Sequence, residues 1–121
     1  MLRHYATTCG GRQATAKHRP HAACLVPERR EERTTEGGLD VAGNIENLRG
    51  FVGAMGECGI RVSMFIEADP RQLDAAKAIG APIVELHTGA YCDVGAGLRA
   101  RELERIRAAA AHAEAIGLEC H

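Results

Sequence analysis

The sequence has no C-x-x-C pair. Its five cysteines stand apart at positions 9, 24, 58, 92 and 120, an odd number without the paired spacing that zinc ribbons and disulfide frameworks need. Both are excluded, and free thiols in a reducing cytoplasm are expected. Neither sign of charge is in excess. Fifteen Lys and Arg stand against 16 Asp and Glu, a formal net charge of −1, which gives no footing for nucleic acid or an anionic membrane surface. No apolar run approaches the ~18 residues of a bilayer span. The opening "MLRHYATTCGG" lacks the apolar centre of a secretory signal, so a cytoplasmic protein is expected. The six histidines give one close pair, His18 and His21, and Pro20 between them opposes the helix that would align them on a metal. No metal and no cofactor is expected. No internal repeat or low-complexity segment stands out.

What is present is the composition of one soluble globular domain: 121 residues, 45% hydrophobic, 26% charged, 14 glycines. "HAACLV" (21–26) reads as a short buried strand closed by Pro27. Val41, Ile45, Leu48, Val52 and Met55 recur at threes and fours, one face of a helix ending near Gly56 or Gly59. "RVSMFI" (61–66) is a second strand. Asp69-Pro70 supplies an N-cap and first-turn proline for a helix with Leu73, Ala76 and Ile79 inward and Gly80 as its stop. "PIVELH" (82–87) is a third strand, followed by "TGAYCDVGAG". A long Ala-rich helix then runs over 98–116, with Leu103, Ile106, Ala110 and Ala113 inward. "LECH" opens a fourth strand, and a chain stopping there looks cut rather than finished. Apolar strands alternating with helices imply parallel pairing through right-handed crossovers. A flavodoxin-like sheet and a piece of a (β/α)8 barrel both fit, although a whole barrel takes ~250 residues.

In such folds ligands meet the C-terminal strand ends and the loops after them. Pro27 to Gly38 is a loop without one aliphatic side chain. Thr34, Thr35, Gly37 and Gly38 could offer hydroxyl and N–H donors to a phosphate or sugar, with Arg29, Arg30 and Arg33 adding charge. Glu28, Glu31, Glu32 and Glu36 cancel those arginines, so by residue type alone a solvated surface loop is the first reading. Glu85 and His87, two apart on a strand, share a face opposite Val84 and Leu86. A carboxylate inside an apolar strand must be paired, hydrated or functional. Glu85 therefore reads as a general acid/base or a stabiliser of developing positive charge, whereas His87 needs only a structural partner. Phe65 and Glu67 share a face in "FIEAD", Asp69 is a helix cap, and no catalytic role is assigned there.

"PHAACLVPERREERTTEGGLDVAGN", "IRVSMFIEADPRQLDAAKAIGAPIVELHTGAY" and "ELERIRAAAAHAEAIGL" closely resemble the pyridoxine 5'-phosphate synthase family. The resemblance spans residues 17–121 and leaves 1–16 as a non-matching segment. "TTEGGLDV" and "ELHTG" occur together and in order, which disfavours other phosphate-binding barrels. The resemblance implies a fragment of a (β/α)8 TIM barrel, about the fourth to sixth β-α units plus the start of the seventh strand, in a homo-oligomer. It implies condensation of 1-deoxy-D-xylulose 5-phosphate with 3-amino-1-hydroxyacetone phosphate to pyridoxine 5'-phosphate, with release of phosphate and water. Partners are thus phosphorylated small molecules, with no nucleic acid and no membrane. By the same resemblance the loop closes over the barrel mouth, Thr34 binds the deoxyxylulose phosphate, and Glu85 stabilises a cationic transition state. His4 stands where the family has a catalytic glutamate ending its third strand, and the family's catalytic histidines fall outside this sequence. The expectation is a truncated chain, inactive alone, of an enzyme active when complete. The alternative is a non-catalytic half-barrel or phosphate-binding module.

Overall fold

Five short strands lie side by side in chain order: β1 (His4–Tyr5), β2 (Ala22–Leu25), β3 (Arg61–Ile66), β4 (Ile83–Leu86) and β5 (Glu119–Cys120). The computed structural model describes residues 4–5, 22–27, 30–34 and 37–121. Every neighbouring pair is parallel, with His4 opposite Cys24, Cys24 opposite Ser63, Ser63 opposite Ile83 and Ile83 opposite Glu119. A doubly wound sheet reverses its strand order at a switch point. These five strands have no reversal, so of the two architectures compatible with the sequence, the sequential arc of a barrel is the one that fits.

The helices are α1 (Ile45–Glu57), α2 (Pro70–Ala78), α3 (Gly89–Asp93) and α4 (Ala96–Ala115). The core forms between the sheet and α1 and α2. Ala23 and Leu25 of β2, Val62, Met64 and Ile66 of β3 and Val84 of β4 are buried together with Leu48, Phe51 and Met55 of α1 and Leu73 and Ala76 of α2. In register, alternate residues share a face. Ser63, Phe65 and Glu67 therefore run along the opposite face, beside Ile83, Glu85 and His87.

Local chemistry sets the boundaries. The Asp69 carboxylate accepts a hydrogen bond from Arg71 N at 2.9 Å with Pro70 in the first turn, the expected cap. Gly80 then ends the helix at φ +86°. Val41 belongs to the apolar row expected of α1 but lies before it, in a turn where Asn44 N donates to Val41 O and Gly43 N to Asp40 Oδ1. The stretch 88–97 contains α3 and the start of α4. In α4 the fully buried residues are Ala109 and Ala113, with Ile106 packed against the core, while Leu103 and Ala110 are half-buried. Among the described residues, no helix is long and apolar enough to cross a membrane.

Candidate functional site

The polar loop ends in a tight hairpin. Thr34 N donates to Gly38 O at 2.8 Å, Gly37 N donates to Thr34 O at 3.1 Å, and Arg33 bridges Leu39 in antiparallel sense. The hairpin is tied to the C-terminal end of β3, because Leu39 N donates to Phe65 O at 2.8 Å. On the adjoining side His87 N takes the next carbonyl, Ile66 O, at 2.7 Å. Loop and β4 end thus meet above the open face of the sheet.

The sequence reading gave Glu67 no role, yet it holds this junction. The residue is 4% exposed. Its Oε1 accepts from Gly38 N at 2.7 Å and from the Thr34 hydroxyl at 2.9 Å. Its Oε2 is buried and has no hydrogen-bond partner among the described residues. The two glycines follow from this contact. A Cβ at Gly38 would stand 2.8 Å from Glu67 N and 3.0 Å from Ile66 C, backbone atoms that cannot move aside. Gly37 sits at φ +114°, where a side chain is strained, and its Cβ would meet His87 Nε2 at 3.3 Å. Behind the hairpin, buried Gln72 of α2 accepts from Val41 N at 2.8 Å and Ala42 N at 3.0 Å and donates to Asp40 Oδ1 at 3.0 Å.

Glu85 lies half-buried on the open face, opposite Phe65 in register. Its Oε2 accepts from the Ser63 hydroxyl at 2.7 Å. The His87 ring rests against Phe65, centroids 5.1 Å apart and planes inclined at 57°. A Cβ at Gly89 would come within 2.7 Å of that ring. Glu85 and Thr34 are therefore on the same face but not at the same level. Glu85 is level with Phe65 and Thr34 with Glu67, a separation along the strand of about 7 Å at the usual rise per residue. Arg33 is exposed, and Arg29, Thr35, His18 and His21 lie outside the described residues. At the far edge Glu119 accepts from Arg61 at 2.7 Å and pairs with His121 at 3.0 Å, and the Arg61 contact foremost holds its carboxyl below the usual range.

The sequence carried signals for both unpredicted residues. Ser63 and Glu67 are the polar members of the Ser63–Phe65–Glu67 face of β3 and its end. Alternation placed them together, but only the fold shows that one meets Glu85 and the other the loop.

The family described as "Pyridoxal phosphate biosynthesis protein PdxJ" matches residues 6–121. The chain belongs to this family. The match begins upstream of Lys17, where the expected resemblance starts. Relatives named pyridoxine 5'-phosphate synthase are similar along most of the chain. The Rhodospirillum rubrum protein is 66% identical over 106 residues, 87% of this chain and 43% of that protein. A Cereibacter sphaeroides protein is 57% identical over 120 residues, 96% of this chain and 48% of its own length. The Zymomonas mobilis protein is 54% identical over 105 residues, 87% of this chain and 41% of its own. The chain thus spans about half the length of these relatives. In this chain Glu85 lies on the open sheet face, and Glu67 at the end of β3 on the same face fastens the hairpin.

Proposed function

We propose that residues 17–121 form part of the barrel domain of a pyridoxine 5'-phosphate synthase, about the fourth to sixth β-α units and the start of the seventh strand. In that numbering β1 (His4–Tyr5), just ahead of these residues, is the third strand. The reaction is the condensation of 1-deoxy-D-xylulose 5-phosphate with 3-amino-1-hydroxyacetone phosphate in vitamin B6 biosynthesis. Its partners are these two phosphorylated substrates and further copies of the chain, in the cytoplasm. Family membership supports this reading, as do the sequential parallel strands.

The observation that carries the site is the Glu85 carboxylate, set on the open face of the sheet and held by the Ser63 hydroxyl. A condensation of an amine with a ketone passes through imine-like cations. A fixed anion stabilises such charge without having to reorganise as it develops. Thr34, fastened at the hairpin, contacts the sugar phosphate. These assignments predict opposite kinetic signatures in a protein of the relatives' length carrying these residues. Glu85→Gln keeps size and the Ser63 contact but removes charge, so kcat should fall on the order of 10²-fold with KM nearly unchanged. Thr34→Ala should raise KM for the deoxyxylulose phosphate alone. Steady-state kinetics with each substrate varied in turn is the measurement. Near-parental kcat in Glu85→Gln would make Glu85 structural and remove the site assignment.

A further inference from the structure

We infer that Glu67 is a positioning residue that fixes the polarity of Thr34, so that Thr34 reads a carbinol hydroxyl of the sugar phosphate and not its phosphate group. The inference rests on the proposed function for the identity of the ligand, but its structural half stands without it.

A threonine hydroxyl has one proton to give and two lone pairs to receive with. At 2.9 Å from Glu67 Oε1, a carboxylate oxygen that can only accept while ionised, Thr34 must give its proton to Glu67. What Oγ1 retains toward a ligand is acceptor capacity. A phosphate oxygen is also an acceptor, and would face lone pairs. A ligand hydroxyl is a donor and fits. This reverses the expectation from residue type, in which the loop threonine offers a donor to phosphate. The same carboxylate oxygen holds Gly38 N at 2.7 Å. One atom therefore fixes both the place of the hairpin and the direction of the Thr34 proton. The glycine at 38 is what allows the approach, since a Cβ there would strike the backbone of Ile66 and Glu67. Thr34 is half-buried and Glu67 fully buried, so the hydroxyl is the member of the pair that a ligand can meet.

The test uses the protein at the relatives' length, with Glu67→Leu, Glu67→Gln, Thr34→Val and the Glu67→Leu/Thr34→Val double variant. The first readout is amide hydrogen exchange at Gly38, which needs no activity. Glu67→Leu removes the acceptor and should speed exchange at least about tenfold, the worth of one hydrogen bond to a charged group. Glu67→Gln retains an acceptor oxygen and should restore protection. Unchanged exchange in Glu67→Leu overturns the anchoring role. The second readout is kinetic. Glu67→Leu and Thr34→Val should each raise KM for 1-deoxy-D-xylulose 5-phosphate about tenfold, and the double variant should be no worse than either alone. Inhibition by inorganic phosphate should be unchanged in Thr34→Val. If phosphate inhibition weakens as much as KM rises, Thr34 binds phosphate and the polarity argument fails. If the single effects multiply, Glu67 does not act through Thr34. Absence of turnover in the parent protein would instead defeat the proposed function, leaving the exchange result to decide the role of Glu67.

Discussion

Ser63, Glu67 and Gln72 are buried polar side chains among apolar neighbours, and each is accounted for by a different partner. Ser63 serves Glu85, Glu67 serves the hairpin, and Gln72 satisfies two backbone N–H groups in the turn before α1. Gln72→Leu would keep the volume but strand Val41 N and Ala42 N. Stranding a buried donor costs about 1–3 kcal/mol, so a loss of about 2–3 kcal/mol is expected, read as a shift of the denaturant midpoint at constant slope. A thiol pair offers a contrast at the same scale. Burial alone pushes the Cys120 thiol above its ordinary pKa, whereas Cys92 is exposed. The thiolate is the species that alkylates. Cys120 should therefore react with iodoacetamide more slowly than Cys92 at pH 8, as followed by peptide mass mapping. Equal rates would mean that β5 does not stay paired in solution.

Among the elements, the ones with strong local signals were legible and the ones made by distant contacts were not. β3 and the cap and stop of α2 follow from an apolar run, Asp69-Pro70 and Gly80, all of them chemistry within a few residues. The hairpin at 33–39 depends on Phe65 O and Glu67, about thirty residues further on. Nothing near Gly37-Gly38 in sequence indicates why two glycines are needed. Residues 108–111 of α4 are all alanine, so side-chain type cannot choose between Ala109 and Ala110 as the buried row. The place of Glu85 and of the polar loop at strand ends was readable, because alternation and the parallel α/β pattern dictate both. The bond that joins Thr34 to Glu67 was not, because it depends on which strand end the loop lies over. Gly38→Ala tests this element. The added methyl meets backbone rather than a movable side chain, so the hairpin should lift. KM for the sugar phosphate should then rise as in Glu67→Leu, with little change in the melting of α1 and the sheet.

For the whole molecule, five strands in sequence leave the outer edges of β1 and β5 without a ladder partner among the described residues. The open face carries Phe65 and Ile83 alongside the polar site. Unpaired parallel strand edges recruit other chains. The 121-residue chain alone should self-associate, giving species above monomer mass by size-exclusion chromatography with light scattering. A monodisperse monomer with a sharp cooperative melt would show that the edges are protected in some other way.

The second oxygen of Glu67 adds a consequence that concerns water. Oε2 is buried and has no hydrogen-bond partner among the described residues, and an unsatisfied buried acceptor costs about 1–3 kcal/mol, more when charged. Lifting the hairpin would hydrate that oxygen and offset part of what the Thr34 and Gly38 contacts contribute. Seating the hairpin then withdraws this oxygen from solvent, so the stability of the seated hairpin should follow water activity. Osmolytes excluded from protein surfaces favour the drier state. Concentrated sucrose should therefore slow exchange at Gly38 by a larger factor than at the amides inside α1. A ligand that expels water from above the hairpin would bias it in the same direction, so that filling the site and covering it become one event.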